Sequence, residues 1–337
     1  MFVYPLFECV NTKSYSAHTW DVKRDTRDII IVIVAAVAAV GVVFGGMYAY
    51  SGTWPPFSVV ESGSMQHSDR AELGVIDTGD MVIVRTMDKD SDIVSYVEGY
   101  VSGYSRFGEY GDVIVYKRVG DNPVIHRPIV WLEHNADGTW SAPSLKDYPH
   151  WYVKDAANVI VADPDPMNIS GTLTIENVGF SNKSVDINLN PSSSLVKKSG
   201  YATMGDSVRN NKFDQTGGII NSLVSRDMIL YTAGMEIPWF GSVKLLLTGK
   251  NVDQIPPNSI PNVIVCVVCF VTVLTVLFAS LDWWETRRPY DEECEEPEDE
   301  NESGDEEDPH PSISIGEWLR EDSRRCSDEI EEPDKGE

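Results

Sequence analysis

The sequence predicts a mainly β domain held between two membrane-spanning helices and followed by a disordered acidic tail. Three observations predict it. Two runs without charge are each long enough to cross a bilayer, the stretch between them is rich in short β-branched runs broken by Gly, Asp, Asn and Pro, and the residues after 288 hold most of the negative charge.

The first run, residues 29–50, reads IIIVIVAAVAAVGVVFGGMYAY. As a helix rising about 1.5 Å per residue it spans the roughly 30 Å hydrocarbon core. It exceeds the apolar region of a cleaved export signal and no small-residue cleavage site follows, so it is expected to remain as an anchor. The second run, residues 262–281, ends at Asp282, Trp283 and Trp284, and Trp favours the membrane interface. Lys13, Lys23, Arg24 and Arg27 precede the first run and Arg287 and Arg288 follow the second, whereas no Lys or Arg lies between Tyr50 and Arg70. That bias places both termini in the cytoplasm. The expected organisation is a cytoplasmic segment 1–28, a helix 29–50, an external domain 51–261, a helix 262–281 and a cytoplasmic tail 282–337.

The external segment is long enough to bury a core of its own. SGTWPPF leaves the first helix, with Pro55 and Pro56 ending it. SVVESGSM then starts as a short apolar strand and turns at Gly63. MVIVRTM (81–87), GDVIVYKRV (111–119) and NPVIHRPIVWLE (122–133) are β-branched runs that read as strands. GTLTIENV and SVDINLN alternate apolar positions and are separated by the turn-prone GFSNK. No repeat and no long amphipathic helix is visible, which favours coiled sheets over a parallel α/β core. Residues 133–198 form an elaboration between motifs.

Charge and cysteine usage narrow the partners. Of the net −26, the tail 289–337 supplies −18, with 22 acidic against 4 basic residues. Its run DEECEEPEDENESGDEEDP lacks the apolar content that offsets ordering entropy, which predicts disorder. SISIGEWL (312–319) is a candidate docking segment within it. The smaller excess elsewhere suits a protein from a salt-loving organism, where salt screens charge, and argues against a nucleic-acid partner. Cys9, Cys266, Cys269, Cys294 and Cys326 all fall outside the external domain, so no disulfide framework is expected there. Cys266 and Cys269 have C-x-x-C spacing, but inside an apolar helix they act as small hydrophobes and no second ligand pair accompanies them. No metal or cofactor is expected. Asn168-Ile169-Ser170 and Asn182-Lys183-Ser184 match the glycan-acceptor pattern for an exterior domain.

A serine hydrolase must bring together a hydroxyl, a base and a group that orients the base. The external domain offers four histidines as bases, His67, His126, His134 and His150. His126 ends a β run and is followed by Arg127. Ser64 lies in ESGSM directly after an apolar strand, where Gly63 permits a tight turn that lifts the hydroxyl clear. The ordered set ESGSM, TGDMVIV, GDVIVYKR and VIHRPI, placed just after a membrane anchor, resembles type I signal peptidases of the archaeal and endoplasmic-reticulum type.

The resemblance runs from the first helix to about Arg127 and partly over residues 203–215. It implies a coiled-sheet signal-peptidase-like extracytoplasmic domain, with Ser64 as nucleophile and His126 as general base. It further implies that Ser62 assists the backbone N–H of Ser64 as oxyanion donor, that Asp80 holds a structural turn, that PWFGSVKLLL, from Pro238, is the return strand toward the second membrane helix, and that no cofactor is used. The last family motif departs here: in ATMGDSVRNNKFDQ, Met204 stands where the family has a basic residue and two residues are inserted before Asp214. Asp206 and Asp214 match the two family carboxylates, and either could orient His126; Asp214 is favoured, with Asp206 supporting. The implied partners are signal peptides of exported preproteins, the lipid bilayer and a nearby protein-export channel. The rival expectations are a non-catalytic membrane scaffold that kept the fold and a self-cleaving regulatory protease.

Overall fold

The computed structural model describes residues 18–87, 93–118, 120 and 122–285. The acidic tail, its SISIGEWL segment, the first 17 residues, Arg287 and Arg288 lie outside the described residues. The chain divides into units 1–278 and 279–337, and what is described of the second unit, residues 279–285, is helical.

Helix α1 (His18–Ser51) and helix α4 (Ser259–Glu285) contain the two apolar stretches. Within them Ile29–Ser51 and Ser259–Leu281 are long and apolar enough to cross a membrane, and almost none of either stretch is covered by protein. The second starts three residues before the predicted boundary because Pro261 falls in the first turn, where its missing N–H costs no helical bond.

Between them lies a β-rich domain. Its strands are β1 (Phe57–Val59), β2 (Met81–Arg85), β3 (Ser105–Arg106), β4 (Glu109–Tyr110), β5 (Ile114–Tyr116) and β6 (Val124–His134). They continue as β7 (Trp140–Ser141), β8 (Trp151–Lys154), β9 (Thr172–Val178), β10 (Lys183–Asn188), β11 (Gly200–Met204) and β12 (Ile229–Ile237). A seven-stranded sheet runs β1-β2-β12-β5-β6-β11, with β7 also on β6, and its pairings are antiparallel. A three-stranded sheet, β10-β9-β8, lies inside the 133–198 elaboration. Its apolar positions alternate along β10, where Val185 and Ile187 are buried and their neighbours exposed, and they join β6 and β11 in the main core around Trp140. Pro128, which has no N–H to give a ladder, sits at a register shift between β6 and β11.

Two short helices complete the domain. Helix α2 (Tyr96–Ser102) opens with a full capping box, Ser95 with Glu98, and closes on Gly103 at φ 75°. Helix α3 (Gly241–Thr248) corrects the predicted return strand: β12 is the return strand, and Gly241–Thr248 winds into a helix. Ser242 and Leu245, three apart, are buried, whereas Val243, Leu246 and Leu247 are exposed, a helical rather than an alternating pattern.

The exits of both long helices are fixed to the domain. Thr86 N–H donates to Ser51 O at 2.8 Å and Val84 N–H to Pro56 O at 3.0 Å, so α1 hands directly onto β2. Asn258, just before α4, accepts from Ala71 N–H at 2.9 Å and donates to Ala71 O at 2.8 Å.

Candidate active site

Ser64 occupies a 3₁₀ turn, Gly63–Met65, one step beyond the edge strand β1. Val60 and Met65, 4% and 1% exposed, pack with Ile76, Val82, Val113 and Ala233. These two apolar residues pin the ends of the turn and leave residues 61–64 at the surface. A Cβ at position 63 would come within 2.2 Å of Gln66 Oε1, an oxygen that accepts from Thr78 Oγ1 at 2.9 Å, so a larger residue there would displace the Gln66 side chain from that bond.

His126 lies in β6 opposite Ile114 of β5 and is 2% exposed. Its Nδ1 contacts both oxygens of Asp214, at 2.9 and 2.8 Å. The carboxylate is itself held: Tyr116 Oη donates to Asp214 Oδ2 at 2.8 Å and Thr203 Oγ1 donates to the same oxygen at 2.6 Å. Burial, then the Asp214 charge, push the Tyr116 phenol far above its ordinary range, so it stays a donor. With a carboxylate on Nδ1, the proton sits on that nitrogen and Nε2 is the acceptor.

Asp206 goes elsewhere. Arg127, fully buried, donates Nε to Asp206 at 3.0 Å and Nη2 at 2.6 Å. Its Nη1 reaches Tyr110 O at 3.1 Å and Gly111 O at 2.8 Å. Met204, one residue before the Gly205-Asp206 pair, is 2% exposed within the main apolar core.

Ser64 and His126 line one cavity of about 590 Å³, together with Ser62, Asn210, residues 58–61 and residues 122–125. Gly205 sits where the two meet: a Cβ there would lie 2.3 Å from Ser64 O and 2.8 Å from His126 Nε2. The Ser64 carbonyl also accepts from Ser207 N–H and Asn210 Nδ2, both at 2.9 Å. Ser62 Oγ is 3.4 Å from Ser64 Oγ. Among the described residues no hydrogen bond joins Ser64 Oγ to His126 Nε2. Of the other histidines, His67 stacks on Phe180 at 4.2 Å and burial lowers its pKa. His150 meets Tyr100 Oη at 3.2 Å, and His134 packs edge-on to Trp140.

Asp80 closes the turn 77–80, its N–H donating to Asp77 O at 3.1 Å. Its carboxylate accepts from Asp77 N–H and Trp239 N–H, both at 2.7 Å. Asp77 accepts from Glu72 N–H at 2.6 Å, and Glu236 from Gly74 N–H at 2.6 Å. Burial raises all three carboxyls, Asp77 and Glu236 to about 7 and Asp80 to about 6. Among the described residues no group of three His, Cys, Asp or Glu side chains is placed to hold a metal ion.

The sequence reading did not single out Tyr116, Thr203, Gly205 or Asn210. Thr203, Gly205 and Asn210 fall inside the ATMGDSVRNN motif and Tyr116 inside GDVIVYKR, so membership of those motifs was the available signal. Comparisons with protein-family models, with curated proteins and with solved structures find no match to this chain.

Proposed function

We propose that this chain is a membrane-anchored serine endopeptidase that removes signal peptides from exported preproteins, acting through Ser64 and His126. The observation that carries the reading is the His126–Asp214 pair, 2.8 Å apart and opening onto the cavity that Ser64 lines. In this reading the β-rich domain is a signal-peptidase-like coiled-sheet domain, both chain termini are cytoplasmic and the domain faces the exterior.

Ser64 Oγ attacks the scissile carbonyl carbon while His126 Nε2 takes the hydroxyl proton. Asp214 holds the imidazole by its Nδ1–H and stabilises the cation that forms. The carbonyl oxygen becomes an oxyanion, received by the Ser64 backbone N–H and the Ser62 hydroxyl. His126 then gives its proton to the leaving amine, and a water activated by the same nitrogen hydrolyses the acyl-enzyme. Asp206 serves Arg127 and the position of the loop, not the base. Met204, where the resembling family carries a basic residue, is buried among apolar side chains, so the departure removes no charge from the cavity.

Substrate geometry follows from the edge. β1 ends the large sheet with one side unpaired, and residues 58–61 line the cavity, so an extended peptide adds as a further strand and presents small side chains before the cut. Both long helices are tied to this domain, through Ser51 to Thr86 and through Asn258 to Ala71, and in this reading the substrate is delivered from the bilayer beside an export channel. Nucleic acid has no place in this reading.

The contact of Ser64 Oγ with Ser62 rather than with His126 favours the rival, a scaffold that retains the fold without activity. Serine-protease hydrogen bonds often tighten only around substrate, and one experiment separates the two. Membranes carrying the wild-type chain are expected to convert a preprotein to its mature size, and Ser64→Ala and His126→Ala to abolish conversion. Equal conversion by wild type and Ser64→Ala, beside an active control peptidase, establishes the scaffold.

A further inference from the structure

The segment 206–216 carries both candidate acids, and strand β10 of the elaboration lies against it at two points. Lys183 Nζ donates to the Ser207 carbonyl and reaches the Asp206 carbonyl at 3.5 Å. Thr216 Oγ1 donates to the Asp186 carbonyl at 3.0 Å. From the same turn two donors continue to the nucleophile, because Ser207 N–H and Asn210 Nδ2 both bond Ser64 O at 2.9 Å. A hydrogen-bonded path therefore runs from the elaboration sheet through one residue, Ser207, to the peptide that carries Ser64.

Lys183 is half-buried, and burial lowers its pKa while the Asp206 and Glu109 charges act to raise it. The Asp206 carboxylate is already taken by Arg127. The ammonium of Lys183 is thus spent on backbone carbonyls, which fixes the path of the chain rather than neutralising a charge.

Resting on the reading of Ser64 as nucleophile, we propose that Lys183 is a positioning residue: through it the three-stranded sheet sets the 206–210 turn and, through that turn, the carbonyl of Ser64. The elaboration is then part of the working site. Lys183 touches no reacting atom. Its loss lets the turn drift from Ser64 O and misplaces the hydroxyl and backbone N–H that handle the substrate, and small misplacements of this kind cost about a hundredfold in rate.

The test uses the full-length protein in membranes, with Lys183→Met, which keeps the stem and removes the donors, and Lys183→Arg, which keeps donors. Hydrogen exchange of the Ser207 amide is expected to quicken in Lys183→Met while the β6 amides of Ile129 and Val130 keep their protection. In cleavage, kcat is expected to fall about tenfold to a hundredfold with KM little changed, and Lys183→Arg to recover most of both losses. Wild-type exchange at Ser207 in Lys183→Met overturns the proposal, as does a rise in exchange spread equally over β6. If the wild-type chain shows no Ser64-dependent cleavage, the peptidase reading fails while the exchange result still decides whether Lys183 holds the turn.

Discussion

Asp214 meets His126 Nδ1 with both carboxylate oxygens, at 2.8 and 2.9 Å, while Asp206, eight residues earlier in the chain, meets Arg127. The two acids therefore fail differently. Asp214→Asn keeps the shape but offers an amide to Nδ1, which disturbs the tautomer that leaves Nε2 free; kcat is expected to fall about 10⁴-fold with the protein still folded. Asp206→Ala strands a buried guanidinium and is expected to cost about 3–5 kcal/mol of stability. Preprotein cleavage alongside thermal unfolding of each variant checks the pair. Equal losses of activity and stability in the two variants count against the assignment.

Gly205 leaves no room for a side chain between the Ser64 carbonyl and the His126 ring. In Gly205→Ala the new methyl would stand 2.3 Å from Ser64 O, 2.4 Å from Asn210 Nδ2 and 2.8 Å from His126 Nε2. The carbonyl and the buried ring cannot both yield, so Ser64 moves away from His126. Cleavage is expected to drop at least about a hundredfold, with a smaller effect on unfolding temperature than Asp206→Ala. Near-wild-type cleavage by Gly205→Ala argues that Ser64 and His126 do not work together.

Much of this arrangement is legible in sequence because it is local. The two apolar runs announce their helices by length alone, and β2, β6, β9 and β10 follow from β-branched or alternating residues between turn signals. Ser64 and Gly63 sit in one short motif. What pairs with His126 is another matter: Asp206 and Asp214 are both far from it in sequence, 88 residues for Asp214, and the choice is made by the register shift between β6 and β11 and by the buried guanidinium of Arg127. Helix α3 was hidden because an apolar run flanked by glycines fits a strand as well as a helix until the sheet it packs on is known. Lys183 carries no local signal, since its partners lie 23 and 24 residues away.

Position 204 tests whether a basic residue, as in the family the sequence resembles, would serve the site. Met204 is 2% exposed and packs with the main apolar core. Met204→Lys would bury an ammonium with no carboxylate set to receive it, since Asp206 is occupied by Arg127. A fall in stability of a few kcal/mol is expected, with no gain in cleavage rate. Thermal unfolding of the variant measures it; a stable variant that cleaves faster than wild type places the position 204 side chain at the site instead.

The carboxyls of Asp77, Asp80 and Glu236 set a dependence of stability on pH. Asp77 and Asp80 are each 1% exposed, and burial lifts Asp77 and Glu236 to about 7 and Asp80 to about 6. Among the described residues Asp77 Oδ1 and Glu236 Oε2 are buried without a hydrogen-bond partner, as a carboxyl held protonated tolerates better than a carboxylate. A folded-state pKa above the unfolded one means the native protein binds protons more tightly. The contribution is full below the unfolded pKa of about 4 and is lost progressively as pH rises from there through the folded values of about 6 to about 7. Asp77→Asn removes one of these titrations while keeping an acceptor oxygen for Glu72 N–H. Its unfolding temperature is expected to exceed that of wild type by a few degrees at pH 8 and to converge with it as pH falls to about 4. A variant less stable than wild type by the same margin at both pH values shows that the Asp77 carboxylate is ionised in the folded protein.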